Sequence, residues 1–444
     1  MADRSLLAAV SGISANQTYL DTIGNNIANV NTVGYKSQST DFVDLLTEQI
    51  AGAAAPAGVT VSGGTNPMAV GSGVRVGAIS TNLTQGSLEQ TNQPTDLAIE
   101  GSGFLVASQQ GQQYFTRAGH LLLDANGDLV TPTGALIQGW QANGTGVIDT
   151  NAPTTAVSIP AGQVIAAKPT TEITMGGNLP AWNGTGTATP ETTTINAYDS
   201  LGDTVPTTFT FTPVAGTAGE WDVNGQVTGM TGTLWTKPLV VQFDTSSGQI
   251  STITNQDTGT TYTMSTTNPA ALDVPVTNMP SSSNSSFTFP STDTWNAIFP
   301  AAGSSGAVTQ FAGQDTAAAV SQDGSAGGSL QSFSIGSNGV ITGSFSNGQT
   351  LSLAQIALAN FTNPGGLADV GNSLYQASPN SGQALIGTPG TGGRGSLVGG
   401  SLEMSNVNLA RQLTDLIVAQ EAYQANTKTI TTDATVLQSL VNLP

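Results

Sequence analysis

Cysteine is absent from the 444 residues, which excludes disulfides, thiolate metal centres and cysteine nucleophiles. Histidine occurs once, at His120, so a zinc site with three or four nitrogen or sulfur ligands has no donor set. A Ser–His–Asp arrangement would have to use that residue, and no G-x-S-x-G elbow accompanies it. Charge is scarce: 8% of residues are charged, against roughly 25% in an average soluble protein. Nine Lys and Arg oppose 28 Asp and Glu, for a net charge of −19. No basic face is left to displace counterions from nucleic-acid phosphates, and an anionic membrane surface repels the chain. With 38% hydrophobic residues, the sequence lacks the composition of charge-driven disorder. No apolar run reaches the 18 or so residues that mark a membrane-spanning helix. The apolar part of the N-terminus stops after Leu6–Val10, where Ser and Gly intrude, so a helix is expected there rather than a cleaved leader.

Both ends carry a seven-residue apolar rhythm. Leu6, Ile13, Leu20 and Ile27 recur at that spacing, with Val10, Ile23 and Val30 filling the same face. At the far end Leu402, Leu409, Leu416, Tyr423, Ile430 and Leu437 repeat it, flanked by Leu413 and Ile417. A strict heptad keeps one stripe facing a partner, so two helices with a coiled-coil seam are expected, about 40 Å and 60 Å long. At roughly 1.5–3 kcal/mol per buried aliphatic side chain, uncovered seams forgo several kcal/mol. The seams pair with each other inside one chain, between copies, or both; periodicity does not choose. Before partners cover them, both ends are expected to exchange their amide protons quickly.

Between the ends the period drops to two. TTFTFTPV (207–214), LVVQFD (239–244), ISTITN (250–255) and SFSIGSNGVITGSFSNG (332–348) alternate, and Asn-Gly pairs begin at 126, 143, 183, 224, 338 and 347. Asn-Gly supplies the positive φ of tight hairpins, so antiparallel sheets in sandwiches or barrels are expected. The fold class is mainly β, carried on a helical stem. Composition divides it into a terminal helical part (1–35 with 400–444), an extended spacer (36–70), an inner β-domain (71–150 with 325–399) and an inserted outer β-domain (151–324). From 121 to 393 there are 16 acids against Lys168 and Lys237, which marks the middle as the solvent-facing part.

The remaining chemistry-like motifs have plainer readings. Asp124-Ala-Asn-Gly-Asp128 begins like a calcium loop, but position twelve is Ala135 and the glycine arrives early; an Asn-Gly hairpin explains it. Asp199-Ser-Leu-Gly-Asp203 reads as a turn. Gly390-Thr-Gly-Gly-Arg-Gly395 satisfies G-x-G-x-x-G without the helix that a dinucleotide site needs. His120 reads as a surface histidine at a hairpin end. The tryptophans Trp140, Trp182, Trp221, Trp235 and Trp295 are read as core residues before a sugar platform. No catalytic, cofactor or metal residue is assigned.

The segment SGISANQTYLDTIGNNIANVNTVGYKSQSTDFVDLL (11–46) resembles the N-terminal signature of the flagellar rod and hook axial proteins. GSLEMSNVNLARQLTDLIVAQEAYQANTKTITTDATVLQSLVNL (400–443) resembles their C-terminal signature. TDLAIEGSGFLV (95–106), YFTRAGHLLLDANGDLVTPTGALIQGW (114–140) and 356–397 are similar to their inner β-domain, and AYDSLGDTVPTTFTFT (197–212) to the outer domain of hook members. The long insert points to the hook members of that family. The resemblance implies a homopolymeric, bendable tube that carries torque from rod to filament. It also implies contacts with rod, hook-cap and hook–filament junction proteins, and export through the flagellar type III apparatus without signal cleavage. The implied location is the hook and basal body, outside the cell, with no nucleic acid, cofactor or membrane insertion. Asn25, Asn26, Asn29, Asn31 and Gly34 form its turn motif near the end of the first helix; local turn chemistry, rather than direct contacts between subunits, is the expectation for these asparagines. The alternatives are a distal rod or junction component with an enlarged outer domain, and a secreted β-rich glycan-binding protein.

Overall fold

The computed structural model describes residues 2–55, 64–160, 162–187, 189–229, 232–264, 271–277, 295–301, 304 and 306–441. Part of the expected spacer, 56–63, lies outside the described residues. Two compact units divide the chain: residues 1–161, 332–343 and 350–444 form the first, 162–331 and 344–349 the second.

The first unit holds both helices, α1 (Ala2–Ala28) and α2 (Leu409–Val441). Of the two, α1 is the closer to its expected length, 27 residues or about 40 Å. The second helix starts seven residues later than the heptad suggested, because Asn408 caps it: its side-chain Oδ1 accepts from Arg411 N at 3.1 Å and its carbonyl from Gln412 N at 3.0 Å. Leu402 therefore sits in a strand, Ser401–Glu403, paired with Leu88–Gln90. At ~1.5 Å per residue its 33 residues span about 50 Å rather than 60 Å. Val30 likewise lies beyond α1, in the turn that follows Ala28.

Residues expected as a spacer instead build a β-arm. Gln38–Asp44 pairs antiparallel with Val74–Thr81, and Thr47–Ala51 with Met68–Gly71. Sequence alone hid this because small, turn-rich residues separate the two halves of each ladder. The body of this unit is an antiparallel sheet in which Phe104–Gln109 pairs with Gln112–Thr116, Leu136–Gln141 and Leu358–Asn360. One face buries Phe104, Phe115, Trp140, Phe361 and Tyr375. Phe361 meets Phe104 and Phe115 edge-on, with centroids 6.0 and 4.8 Å apart, the orientation aromatic quadrupoles prefer.

The second unit is two sheets over one core. Six strands, Glu191–Tyr198, Thr204–Pro213, Glu220–Val227, Leu239–Phe243, Ile250–Asn255 and Thr260–Thr263, form an antiparallel meander. In the other sheet Glu172–Pro180 lies between Asn296–Phe299 and Val308–Phe311, both parallel to it, and also pairs with Ala318–Gln322. Strict alternation puts Val205, Thr207, Phe209 and Phe211 inward along one strand. Trp221, Trp235 and Trp295 are buried in that core with Trp182 packed at its side, as a structural reading of the tryptophans requires.

The Asn-Gly pairs mostly do what was expected. Gly127, Gly184, Gly339 and Gly348 hold positive φ in turns. At Asn143 the positive φ falls three residues on, at Gly146. Asn224-Gly225 is the exception: it lies inside strand Glu220–Val227. A Cβ on Gly225 would meet Leu234 Cδ1 at 2.4 Å, so glycine serves close packing there. The Asn224 amide holds both Trp235 N and Trp235 O.

Candidate assembly interface

The two helices run antiparallel in a fixed register. Ser5 Oγ donates to Asp433 Oδ2 at 2.7 Å, Asn26 Nδ2 donates to Gln412 Oε1 at 3.1 Å, and a Cβ on Gly12 would come within 2.9 Å of the Asn426 amide. Each step of seven or fourteen along α1 matches an equal step back along α2. Ala9, Ala15 and Ile23 of α1 and Ala419 of α2 are buried. Burial raises the pKa of Tyr19 above the ordinary phenol value; Asp415 raises it further and Arg411 lowers it.

The sequence-predicted seam residues divide into two sets. Ile23 is buried, and Leu6, Ile13, Leu20, Ile27, Leu416, Tyr423 and Ile430 are half-buried. Val10, Leu409, Leu413, Ile417 and Leu437 are exposed, joined by Leu7, Val418 and Val436. On α2, Leu409, Leu413 and Ile417 follow one another at four-residue steps and form a ridge. The β-arm adds exposed Phe42, Leu46, Ile50 and Met68, and Phe42 meets Tyr19 edge-on at 5.6 Å. This surface can pack and hydrogen-bond. Among the described residues no group of three or more His, Asp or Glu is placed to hold a metal ion.

The turn motif is more than local. Asn29 and Asn25 do bond locally: the Asn29 amide donates to Asn25 O and Oδ1 at 3.0 Å each, and Thr32 Oγ1 donates to Asn29 Oδ1. Asn31 is exposed in the turn. Asn26, 1% exposed, uses all four of its hydrogen-bonding positions. It donates to Gln38 O and Gln412 Oε1, and accepts from Gln38 N and Tyr35 Oη. One side chain thus ties α1 to the β-arm, the following turn and α2. Gly34, at φ +69°, lies so close to strand Gln112–Thr116 and its continuation that a Cβ would meet Ala118 N at 2.6 Å and Arg117 O at 2.7 Å. Its N–H donates to Glu403 O at 2.7 Å.

Sequence reasoning missed the buried charges at the root of the helices. Lys36 Nζ donates to Glu403 Oε1 at 2.6 Å and to Thr84 O at 2.8 Å, with both charged side chains fully enclosed. Arg117 approaches Glu403 at 3.4 Å and donates to Gly103 O and Gly101 O. Burial pulls the Lys36 pKa below the ordinary lysine value, with Glu403 opposing. The only available signal was that these charges lie in apolar or glycine-rich surroundings of a charge-poor chain. His120 is half-exposed at the surface, and its Nδ1 lies 2.8 Å from the buried carboxylate of Asp96. The Asp124 and Asp199 motifs are turns: each Oδ1 accepts two backbone N–H groups of its own loop.

Both ends and both β-regions match known families. Residues 6–36 match the flagella basal body rod protein model, and 98–177 the flagellar hook protein FlgE/F/G D1 domain. Residues 180–325 match the flagellar basal body protein FlaE D2 domain, and 398–443 the flagellar basal body rod FlgEFG protein C-terminal model. The chain is 38% identical to the flagellar hook protein FlgE of Treponema pallidum (strain Nichols) over 99% of both chains. The identity is 36% with FlgE of Borreliella burgdorferi, over 99% of both, and 34% with that of Escherichia coli K12, over 98% of both. The chain belongs to the flagellar hook proteins. It is a structural hook subunit, and the rod-component and glycan-binding alternatives are not favoured. The mainly β fold with paired terminal helices agrees with the sequence expectation. For a hook subunit, the exposed apolar ridge of α2 is a surface of the free chain that assembly can cover.

Proposed function

We propose that copies of this chain pack into the hook tube through the α1/α2 pair and the β-arm, with the ridge Leu409, Leu413, Ile417 and Val418 buried against neighbouring copies. In this reading the chain leaves the cell through the flagellar type III apparatus without signal cleavage. The ends of its tube then meet rod, cap and junction proteins. The observation that carries it is that ridge: its four aliphatic side chains are 43–60% exposed, on a helix whose other face is already occupied. Covering them contributes about 3–6 kcal/mol per copy, taking half of the usual 1.5–3 kcal/mol per side chain. One covered flank per subunit, repeated around a helical lattice, makes addition to a growing end far more favourable than nucleation.

The test is the double substitution Leu413→Asp/Ile417→Asp in the full chain. Tubes seen by negative-stain electron microscopy of the parent are expected to vanish, while the tryptophan fluorescence of the second unit stays parental. Tubes at the parental protein concentration would refute the proposal.

A further inference from the structure

Three layers of the α1/α2 pair are polar or small rather than aliphatic, which is unusual for a coiled coil. Ser5 meets Asp433, Gly12 meets Asn426, and Asn26 meets Gln412. The same step carries Ala419, 1% exposed, to the level of Tyr19. Each level sets one larger side chain against a smaller one, or one hydrogen-bonding group against its complement. Aliphatic layers tolerate displacement by one heptad, since Leu meets Leu again; layers of this kind do not.

We infer that Gly12 and Asn426, between the polar layers Ser5–Asp433 and Asn26–Gln412, fix the register in which the first helix accepts the last. Slipping α2 by seven residues in one direction sets Asn426 against Tyr19, where Ala419 had made room. It also sets Asn26 against Ala419, and a buried amide loses its partner. Slipping it the other way sets Gly12 against Ala419, which leaves a void, and carries Asn26 past the start of α2 to position 405. Both slips leave unmatched polar groups or empty space, which close-packed interiors resist. Gly12 is the sharpest element. Its missing side chain is the space that the Asn426 amide occupies, and Asn426 Nδ2 is held there by Ala422 O at 3.0 Å.

The inference deepens the assembly reading, on which its relevance to the tube rests, but register is read separately from tube formation. The chain has no cysteine, so Ser5→Cys/Asp433→Cys provides a clean cross-linking reporter that sacrifices one layer and leaves the Gly12 layer intact. On mild oxidation this reporter chain is expected to close an intrachain disulfide, measured by mass spectrometry on soluble chain and on tubes. Adding Gly12→Asn is expected to cut the cross-linked fraction at least fivefold. Adding both Gly12→Asn and Asn426→Gly is expected to restore it to within twofold. The swap keeps one glycine and one asparagine in the helix pair, so intrinsic helix propensity is matched. A Gly12→Asn chain that cross-links like its parent overturns the inference. So does a swap no better than Gly12→Asn alone, or a reporter that forms no cross-link in either state. Cross-links that follow the expected pattern without tubes support the register inference and count against the assembly reading alone.

Discussion

Glu403 sits between two cations, and that stoichiometry decides which substitution at the helix root does the most damage. Its Oε1 accepts from Lys36 Nζ at 2.6 Å and from Gly86 N at 2.9 Å, while Arg117 Nη1 stands 3.4 Å from Oε2. Glu403→Gln removes the only carboxylate and leaves an ammonium and a guanidinium enclosed together. Removing one member of a buried ion cluster costs about 3–5 kcal/mol, because the remaining charge is uncompensated. Lys36→Met leaves Glu403 and Arg117 one to one. The carbonyl of Thr84, which Lys36 also served, keeps a second donor in Asn406 Nδ2 at 3.0 Å. That variant loses the two charge-assisted hydrogen bonds of Lys36 but leaves no unbalanced charge and conserves its packing, for a cost of about 1–3 kcal/mol. The gap of about 2 kcal/mol corresponds to a roughly thirtyfold difference in local opening.

Hydrogen exchange read by mass spectrometry over 97–107 in the full chain measures this directly, since those backbone groups belong to the core strands beside the cluster. Exchange is expected to accelerate in both variants, with Glu403→Gln faster by more than a factor of ten. Equal acceleration, or the reverse order, would show that Lys36 rather than Glu403 is the hub and would refute the charge count. The lowered pKa of Lys36 points the same way: burial already disfavours its charge, and only Glu403 holds it.

Gly34→Ala should destabilise the first unit by about 2–4 kcal/mol, combining the left-handed backbone penalty with displacement of the 117–118 backbone; a melting temperature within 2 °C or so of the parent, roughly 1 kcal/mol or less, would contradict it. Asp323 supplies the pH dependence. Burial raises its pKa, but N–H groups of Glu172 and Thr171, Lys168 Nζ and the Thr171 hydroxyl outweigh burial and bring it from 3.8 down to about 2. The unfolded carboxyl therefore takes a proton first, so the stabilisation is complete above about pH 4 and drains away as pH falls through 2. Asp323→Asn is expected to cost about 1–2 kcal/mol at pH 7 in urea unfolding followed by tryptophan fluorescence, the partly exposed site keeping it at the low end. That difference should shrink between pH 4 and 2, and a constant difference would rule out titration of Asp323 as its source.

Much of the architecture was legible because it rests on periodicity. Alternation along 204–213 and heptads at both ends are hydropathy signals, and apart from Leu402 and Val30 they led to the right element types. The face on which the helices meet was not legible, for a physical reason. The stripe Leu6, Ile13, Leu20 and Ile27 lies one residue away from the positions that touch α2: Ser5, Gly12, Tyr19 and Asn26. Small and polar residues carry no hydropathy signal. A glycine becomes an interface residue only through the asparagine opposite it, and here that residue lies more than 400 positions away in the chain. The same limit hid the β-arm, whose strands are recognisable only as pairs, and Asn224-Gly225, where a turn dipeptide serves packing. Of the apolar residues singled out on α2, Leu409 and the flanking Leu413 and Ile417 form the outward ridge, while Leu416, Tyr423 and Ile430 of the heptad are half-buried. Apolar residues kept at regular spacing on a surface the chain itself leaves uncovered imply a partner, whereas contacts satisfied within the chain can be built from almost any residue type. In a subunit that polymerises, the exposed ridge at four-residue steps is therefore the surface we propose a neighbour covers, and the small and polar layers are those folded against the chain's own helix.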